Sequence, residues 1–339
     1  MQLSNHSVRT NRRSRARRRI LIILFSLFAI FQSGLRDLNN LPPTNDIPNY
    51  ITRYEEVLRT PWSTLFNQFD LYSSDYEDRD NGYPIFMKVT QVFSENFTFF
   101  MFVTAIVFMI PLGVIINKYV KSSLGIILSF LIFFALFLNI INCFMRQAIT
   151  LAICMFALRY VLSRKWIKYF GLILIAFTIH TSSIIAAPLY FLPIFSKSRK
   201  WLFVALIASP VLIMISSMLL SYLVGSVYEN YMSDDEFGSL SLVLLIYTVS
   251  VLTFLFFNKM NVDRNSNLIV SGVMGSLVSL PFVYFGGSVS RVSYYYILVI
   301  IPLIPMIIDT LVLNKFLRLI IYAFSMSFFL YFIISINGK

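Results

Sequence analysis

The sequence is built of long apolar segments separated by short charged stretches, from about residue 20 to residue 335. Several segments approach the ~20 residues that a helix needs to cross the hydrocarbon core of a bilayer. They are rich in Phe, Leu and Ile and lack the alternation of a strand, so they predict helices rather than a lipid-embedded barrel. With 58% hydrophobic and 13% charged residues, the chain could not cover a soluble domain with polar groups. The sequence therefore predicts an all-α, polytopic integral membrane protein.

The apolar segments predict about 10–11 transmembrane segments. The stretch 169–195 is too long for one helix and contains Pro188 and Pro193, so we interpret it as a short hairpin that turns near His180–Ser183. The predicted segments are 20–35, 97–116, 123–141, 147–162, the two arms of 169–195, 201–225, 240–257, 267–286, 294–313 and 316–335.

The basic residues sort to alternate loops of this order, beginning with an arginine-rich tail at residues 1–19. If this tail is cytoplasmic, 20 of the 28 Lys and Arg residues lie on the inner side and 14 of the 16 acids on the outer side. Cytoplasmic loops carry an excess of Lys and Arg, so a cytoplasmic amino terminus is predicted. A single crossing at 169–195 would invert every later loop, so the charge pattern also favours the hairpin. A basic tail beside anionic lipid accounts for the net charge of +12 without nucleic-acid binding.

Two loops on the predicted outer side are large, namely 36–96 and 226–239. The first contains ten acids and many aromatic residues, so we expect it to fold on the membrane surface. Its acidic run over residues 75–80, which ends in Asp80, does not have the ligand order of a calcium loop. We interpret this run as solvated charge.

Ionisable side chains beside an apolar helix are costly in a membrane, and they are therefore functional candidates. Arg146, His180 and Arg291 have this position at or near the outer ends of predicted segments. Arg146 follows Asn139 and Asn142 at helical spacing, which predicts a polar stripe leading to a cation. An arginine can bind a phosphate or pyrophosphate through two parallel hydrogen bonds. The alternative for Arg146 and Arg291 is a side chain that only reaches the interface.

His180 is the only histidine outside the amino-terminal tail. It is a candidate general base or orienting donor, or else a hydrogen-bonded residue that stabilises the turn. Tyr294 follows Arg291 in a tyrosine cluster that is also typical of a membrane interface. Cys143 and Cys154 have no metal or redox spacing, and the sequence contains no Walker loop, dinucleotide fingerprint or zinc motif. We therefore expect no cofactor.

Four sequence elements resemble, in order, motifs of the EpsG/Wzy-type polysaccharide polymerases. Arg36 with Thr44-Asn45-Asp46 through Tyr50 is similar to an early arginine and a G-T-D-x-x-x-Y element, and Asn142-Cys143-Phe144-Met145-Arg146-Gln147-Ala148-Ile149 is similar to N-x-x-x-R-Q-x-[IL]-A. His180-Thr181-Ser182-Ser183 is similar to F-H-x-S, and Arg291 before Tyr294–Tyr296 is similar to a late arginine-tyrosine element. The chain departs from the G-T-D element at Pro43 and Asn45. The similarity extends over residues 20–335.

The resemblance implies a single transmembrane catalytic domain over residues 20–339. It implies a glycosyltransferase of the hexosyltransferase type that joins undecaprenyl-pyrophosphate-linked oligosaccharide units into an O-antigen, capsule or exopolysaccharide. The site would face the extracytoplasmic side of the bacterial cytoplasmic (inner) membrane. The expected partners are the lipid-linked glycan donor and acceptor, membrane lipids, and a flippase and a chain-length regulator of the same pathway.

The resemblance also implies roles for single residues. Arg146, Arg291 and Arg36 would bind the donor pyrophosphate, so that transfer needs no metal. His180 or Asp46 would orient or deprotonate the acceptor hydroxyl. The supporting residues would be Asn142, Gln147 and Tyr294. Acids and aromatic residues of the outer loops would hold the sugars.

Two other functions stay open at this point. An O-antigen ligase uses the same donor but transfers the polymer to a lipid A-core acceptor. A transporter or flippase for the lipid-linked unit belongs to a different class, in which repeated halves and polar groups near the middle of the membrane are common. No internal repeat is visible in this sequence, and the centres of its predicted spans are nearly free of charge.

Overall fold

A computed structural model describes residues 2–38, 46–67, 80–223, 236–260 and 266–337. Every regular element in these ranges is an α-helix or a 3-10 helix, which confirms the all-α prediction for the described part of the chain. The chain divides into two compact units. Unit 1 comprises Met1–Phe156, Gly171–Thr181 and Asn314–Lys339, and unit 2 comprises Ala157–Phe170 and Ser182–Leu313. The single catalytic domain stays a prediction.

Unit 1 holds the helices that form the candidate site. They are α1 (Gln2–Gly34), α2 (Ile47–Arg59), α3 (Trp62–Asn67), α4 (Gly82–Gln91), α5 (Phe97–Tyr119), α6 (Ser123–Leu136), α7 (Leu138–Asn142), most of α8 (Met145–Leu162), most of α9 (Trp166–Ile179) and the carboxy-terminal helix Lys315–Asn337. The remaining helices lie mainly in unit 2: Thr181–Tyr190, Leu192–Phe195, Arg199–Leu223, Glu236–Leu255, Phe257–Met260, Ser266–Val278, Leu280–Tyr284, Gly287–Ser290, Arg291–Ser293, Tyr294–Ile297 and Ile300–Leu311.

Five helical stretches among the described residues are long and apolar enough to cross a membrane: Phe97–Tyr119, Met145–Leu162, Arg199–Ser216, Arg291–Leu311 and Lys315–Ile334. Five further apolar helices have only 10–17 residues: Ser123–Leu136, Trp166–Ile179, Thr181–Phe195, Leu240–Leu255 and Asn267–Val278. Each of the ten coincides with one predicted segment, and α1 covers the remaining one. The helix positions are thus confirmed, whereas the number of crossings and the cytoplasmic amino terminus stay predictions.

The chain reverses direction at His180, as the hairpin prediction requires. α9 ends at Ile179, and the second arm begins as a 3-10 helix at Thr181. The two arms touch within unit 2, where the Tyr169 hydroxyl donates a hydrogen bond to the Ala186 carbonyl oxygen at 2.6 Å. The ring centroids of Tyr169 and Tyr190 lie 5.4 Å apart. The predicted turn therefore exists, and its second arm is a 3-10 helix.

The described parts of the predicted loop 36–96 contain helices that share a core with α5, the start of α8 and the end of α9. Apolar residues recur every three or four positions along α2, which makes one face of this helix apolar. The buried core consists of Ile47, Tyr50, Tyr54, Val57, Leu65, Tyr83, Met87, Phe100, Met101, Met145, Ile149 and Ile179. Lys88 of α4 donates to the carbonyl oxygens of Val57 and Leu58, so α4 is also tied to the end of α2 by hydrogen bonds.

Some sequence predictions lie outside the described residues. These are the Thr44-Asn45 part of the early motif, most of the acidic run 75–80, and most of the predicted loop 226–239. At the end of that second loop, a helix already begins at Glu236.

α1 and α5 pack side by side in opposite directions. A Cβ atom added to Gly34 would lie 2.5 Å from the Phe102 ring, and one added to Gly113 would lie 3.1 Å from Ile22 Cγ2. At the other end, Arg18 Nη1 donates to the Val120 carbonyl oxygen at 3.3 Å. At about 1.5 Å per residue, α1 rises by about 24 Å between Arg18 and Gly34. Arg18 and Arg36 therefore lie at opposite ends of this helix pair.

Candidate active site

Asp80 joins Arg146 and His180 at one end of unit 1. Arg146 Nη1 donates to Asp80 Oδ2 at 3.2 Å, and His180 Nδ1 lies 2.8 Å from the same oxygen. The backbone N–H of Thr181 donates to Asp80 Oδ1 at 2.8 Å. Only 7% of the Asp80 side chain is exposed, against 37% for Arg146 and 27% for His180. A buried carboxylate thus links two partly accessible groups, and both of its oxygens are satisfied.

The backbone around Asp80 explains how this loop reaches α9. Asp80 has a φ of 67°, in the left-handed region that Asp tolerates better than most residues. A Cβ atom on Gly82 would lie 2.5 Å from Thr178 Oγ1 and 2.9 Å from the Thr178 carbonyl carbon. Only glycine permits this approach, which brings Asp80 to the end of α9, where His180 follows.

Replacing Gly82 by alanine is expected to destabilise the protein by about 1–3 kcal/mol, because the loop must move away from the Thr178 backbone. The movement should also separate Asp80 from His180 and reduce surface polymer. Gly171→Ala is the matched control, since this helical glycine of α9 has no other atom within 4 Å of an added Cβ. It should gain up to about 1 kcal/mol. Thermal unfolding of the detergent-solubilised variants measures both changes in stability. Equal stability of the two variants contradicts the close approach of Gly82 to Thr178.

The electrostatics at Asp80 favour its ionised form. Burial alone raises the pKa of Asp80, but the hydrogen bond and charge of His180, the charge of Arg146 and the Thr181 N–H together hold this pKa below its ordinary value. An ionised carboxylate only accepts hydrogen bonds, so His180 Nδ1 carries the proton in their contact. In the neutral ring the lone pair then lies on Nε2, which makes no hydrogen bond to the described residues. His180 is therefore oriented as a base.

Arg146 also lies against two tyrosine rings. Its Cζ atom is 5.7 Å from the ring centroid of Tyr50 and 6.0 Å from that of Tyr83. The two rings meet edge to face at 5.6 Å, and both tyrosines are buried. Cation–π contacts of this kind add to the ion pair with Asp80. Arg146 is thus held in a set position at the start of α8, and it does not simply reach out to the interface.

Arg36 lies next to the segment that precedes α8. Its Nη1 donates to the carbonyl oxygen and the hydroxyl of Ser33, and that hydroxyl donates to the Ile141 carbonyl oxygen at 3.0 Å. Burial lowers the pKa of Arg36 to about 10, an effect that the nearby Cys143 partly offsets. Arg36 Nε and Nη2 are buried and have no hydrogen-bond partner among the described residues. The side chain remains cationic at neutral pH and carries unsatisfied donors.

The predicted supporting residues occupy the same part of unit 1. Asn142 Nδ2 donates to Gln32 Oε1 at 3.3 Å, which ties α7 to α1, and Gln147 is buried in α8. The predicted polar stripe, however, is wrong as a feature of one helix. α7 ends at Asn142 and α8 begins at Met145, because the Asn139 carbonyl oxygen accepts hydrogen bonds from the N–H groups of both Cys143 and Phe144 and ends the helix there.

The other predicted residues are less closely tied to Asp80. Asp46 precedes α2 and is partly exposed, and it interacts electrostatically with Tyr83. Arg291 and Tyr294 belong to unit 2, where Arg291 begins a 3-10 helix and Tyr294 follows it. Their participation in the site stays a prediction.

The interpretation of Asp80 as solvated charge is wrong. Its side chain is buried by contacts that cross 66 residues to Arg146 and 100 residues to His180. Two signals were available in the sequence. An arginine beside apolar helix, such as Arg146, favours an acidic partner, and Asp80-Asn81-Gly82 is a triplet typical of a turn with positive φ.

Asp80 and His180 are also residue types that bind metal ions. Among the described residues, they are not part of any group of three or more His, Cys, Asp or Glu side chains that could hold a metal. The three donors around Asp80 already occupy both of its oxygens. Metal-independent chemistry remains an expectation.

Comparison of the sequence with known proteins finds a match to one protein family. The sequence profile of the EpsG family matches residues 19–338. No curated protein and no solved structure matches the chain. The match covers nearly the whole sequence, including every element of the site described above, and it confirms the resemblance found in the motifs. The chain belongs to the EpsG family, the family of Wzy-type polysaccharide polymerases.

Proposed function

We propose that this protein joins undecaprenyl-pyrophosphate-linked oligosaccharide units into a surface polysaccharide at the outer face of the cytoplasmic membrane. Family membership and the apolar helices support a polymerase-like membrane protein. The observation that carries the proposal is the buried Asp80 carboxylate, which holds the cation of Arg146 beside the imidazole of His180. Glycosyl transfer from a pyrophosphate needs both groups: a cation for the leaving group and a base for the attacking hydroxyl.

The arginines supply the proposed pyrophosphate site. Arg36 Nε and Nη2 and Arg146 Nε are buried and lack hydrogen-bond partners among the described residues. A buried N–H donor of a charged group costs free energy when it has no acceptor. Phosphate oxygens are good acceptors for guanidinium N–H groups and often accept two hydrogen bonds from one arginine. We assign Arg36 and Arg146 to the donor pyrophosphate, with Arg291 of unit 2 as the third predicted cation.

His180 is the base in this proposal. The acceptor hydroxyl oxygen attacks the anomeric carbon of the donor sugar, and its proton passes to His180 Nε2. The bond between the anomeric carbon and the pyrophosphate oxygen breaks, and undecaprenyl pyrophosphate leaves with the bonding electrons. Arg146 stabilises the negative charge that develops on that oxygen. We prefer His180 to Asp46 as the base because Asp80 fixes the orientation of its ring.

The sugars are assigned to exposed groups of the same unit. Tyr50, Tyr54 and Tyr83 are buried in the core, so the expectation that the loop tyrosines stack on sugars is wrong for these three. Trp62 and Phe66 are exposed by 37% and 58%, and their rings stack on each other at 6.0 Å. They are the aromatic residues that we propose for sugar binding, and the partly exposed Asp46 is an acceptor for sugar hydroxyls.

Deletion of the gene is expected to leave only single repeat units where the wild type shows a ladder of polymer on a glycan gel. Complementation with the intact chain should restore the ladder. Long polymer that accumulates on the lipid carrier would instead identify a ligase. Lipid-linked units confined to the inner leaflet would identify a transporter. Either of these two results contradicts the proposed polymerase.

A further inference from the structure

The end of unit 1 opposite the candidate site carries a cluster of cations. Arg15, Arg18 and Arg19 of α1 are part of it, and the α5–α6 turn adds Lys118 and Lys121. Arg18 donates a hydrogen bond to the Val120 carbonyl oxygen, which joins the two segments, and Lys121 donates within its own segment to the Lys118 carbonyl oxygen. Burial, followed by the charges of Arg18 and Arg15, lowers the pKa of Lys121. The cations therefore lie close enough to repel one another.

The described acids of unit 1 belong to the segments that join the far end of α1 to the start of α5. Every Asp and Glu in the sequence of unit 1 lies between Asp37 and Glu95, beyond the far end of α1. The carboxy-terminal helix adds Lys315 and Arg318 near this end, because its Tyr322 hydroxyl lies 3.2 Å from Ser122 Oγ at the start of α6. Arg18 Nε is also buried without a hydrogen-bond partner among the described residues. A phosphate oxygen is a suitable acceptor for this donor.

An apolar groove begins at this cluster and runs along the α1–α5 pair. Its volume is about 490 Å³, within the range of sites for organic ligands. Arg19 and Asn117 line one end, and the walls include Ile23 and Leu27 of α1 with Ile110 and Val114 of α5. Gly113 of α5 also lines the groove, and it lies close to Ile22 of α1. The groove is thus cationic at one end and apolar along its length.

We propose that this groove binds one anionic membrane phospholipid, with its phosphate at Arg19 and the neighbouring cations and one acyl chain along α1 and α5. A phospholipid matches both parts of the groove, since a free phosphate would leave the apolar walls unfilled and a neutral lipid would leave the cations uncompensated. The proposal is independent of the polymerase function, because none of these residues belongs to the candidate active site.

The test is native mass spectrometry of the full chain in detergent, with phosphatidylglycerol and phosphatidylcholine of the same acyl chains. The wild type should retain one phosphatidylglycerol in preference to phosphatidylcholine. Arg19→Gln should weaken phosphatidylglycerol binding about fivefold, the effect of one cation near an anionic headgroup. Lys200→Gln, which removes an exposed lysine of unit 2, is the control and should change nothing. The proposal is overturned if the wild type binds the two lipids equally. It is also overturned if Arg19→Gln and Lys200→Gln lose phosphatidylglycerol binding to the same extent.

A second pair of variants tests the groove without a change in charge. Ile110 and Ile207 are 63% and 57% exposed, but only Ile110 lines the groove. Ile110→Trp should fill the groove and weaken phosphatidylglycerol binding at least about fivefold, as expected for a displaced apolar segment. Ile207→Trp should bind like the wild type. If Ile110→Trp is not monodisperse, Val114→Phe replaces it, and unchanged lipid binding in a folded groove variant overturns the proposal.

Discussion

Arg146→Ala is expected to lower polymer formation about 100- to 1,000-fold and to leave surface glycan as single repeat units on a gel. The estimate follows from the loss of one group that stabilises negative charge in the transition state. Arg146→Lys should recover little of the activity, because an ammonium group lacks the planar pair of donors that binds two phosphate oxygens. The glycan ladder is measured together with the amount of protein in the membrane.

Arg159→Ala is the matched control for Arg146, because both arginines lie in α8 and the Arg159 guanidinium donates a hydrogen bond to the hydroxyl of the adjacent Tyr160 at 2.8 Å. It should leave the ladder intact. Arg291→Ala tests the third predicted cation and should resemble Arg146→Ala. Normal polymer from both Arg146→Ala and Arg291→Ala would contradict the proposal that these arginines bind the donor pyrophosphate.

Asp80→Asn is the second substitution with a large expected effect. The amide keeps the size of the carboxylate but loses its charge and one of its two acceptor oxygens, so Arg146 loses its ion pair. The single amide oxygen cannot accept both from the Thr181 N–H and from His180, so the orientation of the His180 ring is weakened. We expect polymer formation to fall on the order of 100- to 1,000-fold, the range found when general base catalysis is impaired. Asp80→Glu should restore part of the activity, because it keeps the charge. The measurement is again the ladder normalised to membrane protein.

Glu56→Gln is the control for Asp80. Glu56 also pairs with an arginine, Arg53, at 3.0 Å, but both side chains are about half exposed. Exposed pairs contribute little to stability, so Glu56→Gln should change neither polymer nor unfolding temperature. If Asp80→Asn had the same activity and stability as Glu56→Gln, Asp80 would not be the residue that positions Arg146 and His180.

The pH dependence of unfolding offers a second readout for Asp80. Its pKa is held below the ordinary value, so its ion pair with Arg146 and its hydrogen bonds stabilise the folded state fully above about pH 4, where the unfolded carboxylate is also ionised. This contribution is lost as the pH falls through the lowered folded-state pKa. The difference in unfolding temperature between wild type and Asp80→Asn should therefore be largest at neutral pH and shrink in acid.

The helices were predictable because their signal is local. Apolar segments bounded by charge mark α5 and α8 to within a few residues, and the turn at His180 follows from the length of one apolar stretch and its prolines. The break at Phe137 was missed, since neither proline nor glycine marks it in the sequence. Helix ends without such residues depend on packing, which a local pattern does not contain.

The site was predictable only in part. Arg146 and His180 stand out as ionisable residues beside apolar helix, but Asp80 lies in a polar loop where acids are ordinary. The burial of Asp80 depends on the close approach of Gly82 to Thr178, and these two residues are nearly a hundred positions apart in the sequence. The prediction that aromatic residues of the outer loops hold the sugars did not distinguish buried from exposed positions, and Tyr50 and Tyr83 are buried.

The antiparallel α1–α5 pair also has a consequence for membrane thickness. About 24 Å separate Arg18 from Gly34 along α1, which is less than the ~30 Å of a typical hydrocarbon core. On the predicted topology, hydrophobic mismatch at this pair is relieved by local thinning of the bilayer or by arginines that extend outward along the helix. On this topology, the depth of Arg36 would be coupled to the thickness of the surrounding lipid, and a thicker bilayer would draw that guanidinium toward the hydrocarbon.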